Sequence, residues 1–269
     1  MKGSEVMGLV QRGSQRLIYV LFALCLAGCM AKRVPVTEAG RLEEADLEDL
    51  VKLLESRYRD IDALKALVRV EAKTPDGKNA FHGILLFKRP DHLRLQGLDL
   101  LGRTLFDLTA RGEEVRIQLP GEDRVLSEEI DSYPIFGQGQ ASVKLADLLE
   151  VLGASGGVFL DPTMIPALEK NQTEYILYLF FMEEFRAVLL KKLWLERAHF
   201  RLVREEIFDP DGQRRMTIFF DDYQKIMGHW RPFKVRAETG GVYELRLDYS
   251  EIKVNPPLGV DDFSMAGGN

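Results

Sequence analysis

The chain has 269 residues, a formal net charge of −6, 46% hydrophobic residues and 29% charged residues. That balance is ordinary for a globular protein and excludes a disordered chain. Mild acidity without a long Lys/Arg run excludes nucleic acid as the main partner.

Lys2, Arg12 and Arg16 precede the apolar run LIYVLFALCLAG, Leu17 to Gly28, and Cys29 follows at once. A basic start, a short apolar core and small residues before a cut make a secretory signal. The run falls short of the roughly 20 apolar residues that a spanning helix needs. Leu26-Ala27-Gly28-Cys29 resembles the lipobox of bacterial lipoproteins. The resemblance implies that residues 1–28 are a signal peptide cut just before Cys29, whose sulfur receives a diacylglycerol. Residues 29–37 are then an acylated tether and residues 38–269 one domain. An ordinary secreted protein and an uncleaved anchor are the alternatives. Cys25 and Cys29 are the two cysteines, and Cys25 would leave with the peptide. The mature protein then has no disulfide and depends on its core. Asp directly after the lipidated cysteine resembles an inner-membrane retention signal; Met30 stands there instead, which leans toward the outer membrane, with the domain facing the periplasm.

Glu38 to Asp60 reads as an amphipathic helix, with Leu47, Leu50, Leu54, Tyr58 and Ile61 at three- and four-residue spacing. The period then switches to two. Leu64–Lys73 and Asn79–Arg89 alternate around the turn TPDGK. His92–Leu98, Arg103–Ala110, Val115–Leu119 and Arg124–Ile130 complete a predicted six-stranded antiparallel meander. Ser142–Leu152 is a short helix that Gly153 should stop, and Gly153 to Pro166 reads as irregular. Further strands are expected at Tyr175–Phe181, Ala187–Leu195, Phe200–Phe208, Arg214–Tyr223, Phe233–Glu238 and Val242–Lys253. The expected fold is mainly β, with about eleven or twelve strands in one curled antiparallel sheet and helices over its open face.

Catalytic motifs are weak. Gly153-Ala154-Ser155-Gly156-Gly157 matches G-x-S-x-G, but the nucleophile elbow needs a strand before the serine and a helix after it, so a glycine-rich loop is expected. His82, His92, His199 and His229 are scattered, without metal-ligand spacing. Asp209-Pro210-Asp211-Gly212 starts like a calcium loop but has Phe220 where the glutamate belongs, so it reads as a β-turn. Trp194 and Trp230 read as core, with a ligand pocket as the alternative. Neither enzyme activity, a metal nor a cofactor is expected.

The segment from Gly83 to Leu126, with Phe87-Lys88-Arg89-Pro90, then DPDGQRRMTIFFDDYQ and VNPPLGVDDFSM, resembles the LolA/LolB lipoprotein-localisation superfamily. The resemblance implies an incomplete β-barrel with helices as a lid and an apolar interior for acyl chains. The lipobox points to the LolB-like branch, an outer-membrane lipoprotein accepting cargo from a periplasmic LolA-like carrier. Phe81, Leu85, Phe87, Leu93, Leu95, Phe106, Leu108, Val115 and Ile117 are the candidate acyl-chain lining, being inward faces of alternating strands. In LDLLG, Leu98 to Gly102, Leu101 and Leu100 stand where LolB has a membrane-inserting loop; the alternative is that they fold back under the lid. The expected function is binding of acyl chains and acceptance or transfer of lipoproteins or other lipids. The alternative is an envelope scaffold lipoprotein with a filled core.

Overall fold

Asp46 stands in extended conformation and caps the first helix, α1 (Leu47–Arg59). The Asp49 N–H donates to Asp46 Oδ1 at 2.9 Å, and Asp49 Oδ2 accepts from the Asp46 N–H. This capping box satisfies two of the four N–H groups that a helix start leaves orphaned. It sets the start at Leu47, later than the apolar spacing predicts. Glu48 and Asp49 in the first turn, and Arg57 and Arg59 in the last, complement the helix dipole. The computed structural model describes residues 44–111, 114–119, 122–126, 134–136, 143–156, 163–183, 185–239 and 243–264. The lipobox, Cys29 and the tether lie outside these residues. Leu42–Asn269 forms one compact unit.

After α1 come β1 (Ala63–Thr74), β2 (Gly77–Lys88), β3 (His92–Leu98), β4 (Thr104–Arg111), β5 (Glu114–Leu119) and β6 (Glu122–Leu126). A small pair, β7 (Pro134–Phe136) and β8 (Val143–Lys144), leads into α2 (Leu145–Gly156). Then follow β9 (Ile165–Lys170), β10 (Glu174–Glu183), β11 (Arg186–Glu196), β12 (Leu202–Phe208), β13 (Arg214–Ile226), β14 (His229–Thr239) and β15 (Tyr243–Val254). A short 3-10 turn, Val260–Phe263, ends the described chain. Thirteen strands make one antiparallel sheet in the order β6-β5-β4-β3-β2-β1-β15-β14-β13-β12-β11-β10-β9. It is not closed: β6 and β9 are its edges. This is the mainly β, curled-sheet architecture that the alternation predicts. Among the described residues no helix is long and apolar enough to cross a membrane.

Register explains the interior. One apolar row runs across the strands through Ile252, Ala66, Leu85, Leu95, Leu108 and Ile117. The next row holds Val254, Leu64, Phe87, Leu93, Ala110 and Val115. On the other side, Val68, Gly83, Gly97 and Phe106 share a row. The Phe106 ring lies over Gly97, where an added Cβ would fall 2.3 Å from it, and meets Phe81 edge-on at 5.0 Å. Glycine is needed at position 97 because the ring occupies the space of a side chain.

Two local expectations fail. Gly153 does not stop α2, and Gly153 to Gly156, expected as a loop, are helical. Glycine costs a helix only about 1 kcal/mol, which tertiary packing overrides. Leu148, Val151 and Leu152 are buried. Residues 165–170, partly expected as irregular, form the edge strand β9, whose residues are half-buried or exposed and carry no legible alternation.

Buried charge also holds α2. Asp147 accepts from the Tyr243 hydroxyl at 2.5 Å and pairs with Arg215 at 3.2 Å. Glu150 pairs with Arg215 at 2.8 Å and with Lys191 at 3.1 Å, and Lys191 also meets the buried Glu205 at 2.9 Å. Burial works against the charge of Glu150, but Lys191 and Arg215 outweigh it and hold its carboxyl below the usual range.

Candidate functional site

α1 leads into β1 through a junction clamped from the other end of the chain. Asn255, at φ 52°, accepts the N–H groups of Asp62 and Ala63 at 2.8 and 3.1 Å and donates to the Asp60 carbonyl at 2.9 Å. Asparagine tolerates this left-handed backbone while its short side chain reaches the junction. Farther on, Lys88 donates to the Leu258 carbonyl at 2.6 Å, and Phe263 packs edge-on against His92. The VNPPLGVDDF segment thus pins α1 to the sheet. At the N-terminal end of α1, the Ala45 N–H donates to the Tyr175 hydroxyl at 2.9 Å, and from its last turn Arg57 donates to the His199 carbonyl at 2.9 Å. Antiparallel order puts Tyr175, His199, Arg89 and Asn255 at one end of the strands, so α1 lies along that end.

Beneath its last turn is an apolar cavity of about 200 Å³. Tyr58 from α1 and Ile61 from the junction after it form one side, and Leu152 comes from α2. Leu64, Leu85, Phe87, Leu93, Tyr249 and Ile252 form its sheet side. Pro232 and Asp91 complete the lining. The Arg89 guanidinium sits 4.0 Å above the Tyr58 ring, beside the cis Arg89–Pro90 bond.

Of the nine residues expected to line a cavity, Leu85, Phe87 and Leu93 do so. Phe81, Leu95, Leu108, Val115 and Ile117 are buried in the packed core, and Phe106 covers Gly97. Sequence reasoning missed Tyr58, Ile61, Leu64, Asp91, Leu152, Pro232, Tyr249 and Ile252 as lining. The signal for two of them is present in the sequence: Tyr58 and Ile61 continue the apolar spacing of the predicted first helix.

The turn between β3 and β4 lies at the opposite end of the strands. Asp99 N–H donates to the Arg103 carbonyl at 2.9 Å, and Gly102 N–H donates to the Asp99 carbonyl at 3.0 Å, with Gly102 at φ 79°. Asp99 Oδ1 accepts the N–H groups of Leu101 and Arg103 at 2.8 and 2.9 Å. Those hydrogen bonds, the Arg103 N–H first, hold the Asp99 carboxyl below its usual range. The β12–β13 turn repeats the pattern. Asp209 N–H donates to the Gln213 carbonyl at 2.9 Å, Gly212 N–H to the Asp209 carbonyl at 3.0 Å, and Gln213 N–H to Asp209 Oδ1 at 2.8 Å, with Gly212 at φ 80°. Asp and Gly therefore build this D-x-x-G turn, and the two middle residues are free. In one turn they are Pro210 and Asp211. In the other they are Leu100 and Leu101, 85% and 79% exposed. These leucines do not fold back under a helix.

Ser155 lies in the last turn of α2, so the strand–turn–helix of a nucleophile elbow is not formed around it. Among the described residues no group of three or more His, Cys, Asp or Glu could hold a metal ion. Trp194 is buried beneath Arg204, whose guanidinium lies 3.6 Å from its ring centroid.

No family model matches the sequence, and no curated protein matches it. Solved structures do match the fold. A LolA superfamily protein from Nitrosomonas europaea aligns with a TM-score of 0.58 at 18% identity, covering 80% of this chain and 97% of that one. A putative outer membrane lipoprotein-sorting protein domain from Vibrio parahaemolyticus gives 0.59 at 16%, covering 80% and 94%. A DUF1329 family protein from Desulfovibrio piger gives 0.60 at 13%, covering 80% and 95%. With its long antiparallel meander, its helices against the sheet and these neighbours, the chain has a LolA/LolB-like fold.

Proposed function

We propose that this protein is a non-enzymatic envelope lipoprotein that binds acyl chains and accepts or transfers lipoproteins, or other lipids, at the outer membrane. The observation that carries this reading is the apolar cavity beneath α1. Protein interiors normally pack at crystal density and leave few voids larger than a water molecule. An apolar void stays dry and takes apolar ligands, held by the hydrophobic effect. In this reading Cys29 is acylated, the domain faces the periplasm and a LolA-like carrier delivers the cargo. Leu100 and Leu101 then touch the bilayer during hand-over.

Chain length is compatible with that contact. The fifteen residue steps from Cys29 to Glu44 have a maximum contour length of about 50 Å, at roughly 3.4 Å per residue. The twelve residues of β1 span only about 40 Å. That contour length exceeds the length of the strands, so an anchor at Cys29 would not prevent the end bearing Leu100 and Leu101 from meeting the membrane.

The test is native mass spectrometry of the chain from Leu42 onward, followed by transfer from a lipoprotein-loaded LolA-like carrier. Lipid should co-purify or transfer, and Leu93→Trp, which narrows the cavity, should weaken both. Absence of lipid and of transfer would overturn the reading in favour of a scaffold.

A further inference from the structure

A second pocket, of about 310 Å³, flanks α1 on its other side. Three guanidinium groups line it: Arg57 from α1, Arg201 before β12 and Arg231 from β14. Tyr223, His229 and Trp230 stand among them. Leu54, Leu202 and Phe220 close it with apolar surface. Pro232 lines both this pocket and the apolar cavity.

The guanidinium groups outnumber the carboxylates around the pocket. Arg57 spends donors on the carbonyl oxygens of His199 and Phe200, which take hydrogen bonds without neutralising a cation. Arg201 pairs with Glu196 at 2.6 Å. Asp60 is the one carboxylate among the pocket's lining residues, and it is exposed. Lys225 lies 5.8 Å from the Trp230 ring centroid, and His199 meets that ring edge-on. Lys225 adds further positive charge. Arg231 is 5% exposed, and burial, with the charge of Arg57 acting the same way, pushes its pKa down to about 10. Like charges gathered at one pocket favour the binding of an anion among them. Guanidinium forks suit phosphate oxygens, which take paired, charge-assisted hydrogen bonds.

We propose that this pocket receives the phosphate headgroup of an anionic amphiphile whose acyl chain lies across Pro232 in the apolar cavity. The proposal rests on the acyl-binding reading above and names its ligand class: a phosphate-bearing lipid. The shared chemistry, phosphate on arginine, could also serve a soluble phosphate ester, so the test separates the two.

Isothermal titration of the chain from Leu42 onward would use three probes: lauroyl lysophosphatidic acid, monolaurin and glycerol 3-phosphate. Lysophosphatidic acid should bind at least about tenfold more tightly than monolaurin, with a preference that shrinks as salt rises. Glycerol 3-phosphate should bind far more weakly than either lipid. Arg57→Gln and Arg201→Gln should each reduce the preference several-fold and leave monolaurin affinity unchanged. Should either variant fail to fold, the salt dependence of the unaltered chain still decides. Equal affinity for the two lipids overturns the headgroup site and leaves the acyl reading standing. Binding of neither lipid overturns both. Glycerol 3-phosphate binding as tightly as the lysolipid would make this a soluble-anion site and overturn the assignment to an amphiphile.

Discussion

Exchanging the tip of one D-x-x-G turn for that of the other isolates what the leucines do. The double substitution Leu100→Pro, Leu101→Asp places the Pro210-Asp211 tip between Asp99 and Gly102. The hydrogen bonds that form the turn come from Asp99, Gly102, Arg103 and the backbone of residue 101, all of which the exchange keeps. Both leucines are largely exposed, so almost no folded-state burial is lost. Surface changes of this kind stay within about 0.5 kcal/mol, which for a chain of this size moves Tm by about 1–2 °C. Membrane contact should respond very differently. Full burial of a leucine contributes about 1.5–3 kcal/mol, so two inserted leucines contribute about 3–6 kcal/mol. At 1.4 kcal/mol per decade, vesicle affinity should fall at least about a hundredfold. Thermal unfolding and vesicle flotation of the chain from Leu42 onward measure both quantities. A Tm drop of more than about 5 °C would show that the tip supports the fold. Unchanged flotation would show that these leucines do not enter lipid.

Gly97→Ala forces a Cβ to within 2.3 Å of the Phe106 ring and should cost about 1–3 kcal/mol by denaturant unfolding; adding Phe106→Leu should recover part of that loss. Asn255→Ala removes three hydrogen bonds at the α1–β1 junction and leaves a Cβ-bearing residue at φ 52°, so stability should fall by about 2–3 kcal/mol. Asn255→Gly, which keeps the backbone freedom, should lose less. The depressed carboxyl of Glu150 makes the attachment of α2 sensitive to acid. Its contribution is complete above the unfolded-state value of about 4.3 and is lost as pH falls through the lower folded-state value. Amide exchange in α2 should therefore accelerate below about pH 4 before the central strands lose protection; uniform acceleration across the sheet would contradict the role given to this ion-pair network.

The strands were legible because period-two alternation marks which face turns inward. His92–Leu98 matches its predicted span residue for residue, and Leu64, Ala66, Val68, Val70 and Ala72 all face the core. β9 escaped because a short edge strand carrying Pro166 needs no apolar alternation. The start of α1 depended on a capping box rather than on the continuing apolar spacing. The cavity was the least legible feature. Leu93 and Leu95 follow the same alternation on one strand, yet Leu93 borders the void and Leu95 is packed on every side. The difference lies in what arrives opposite them: Tyr58 from α1, Ile61 just after it and Leu152 from α2 enclose one part of the sheet face and leave it incompletely filled. Such a distinction belongs to the third dimension. The turn at Leu100 was different: the DLLGR and DPDGQ segments share their Asp and Gly positions in the sequence itself, but only their common hydrogen bonding shows the leucines to be optional for folding.

The pairing of β1 with β15 at the middle of the sheet has a consequence for assembly. The other main-sheet pairings among the described strands join neighbours along the chain, so each arm, β1 to β6 and β9 to β15, can zip from local hairpins. The seam Leu64–Val254 must wait for the final strand, and the loop-closure entropy of the whole chain falls on that single step. A polypeptide emerging from a ribosome or a translocation channel would hold two half-built arms until its last strand emerges, so truncation before β15 would uncouple the arms instead of merely shortening the sheet.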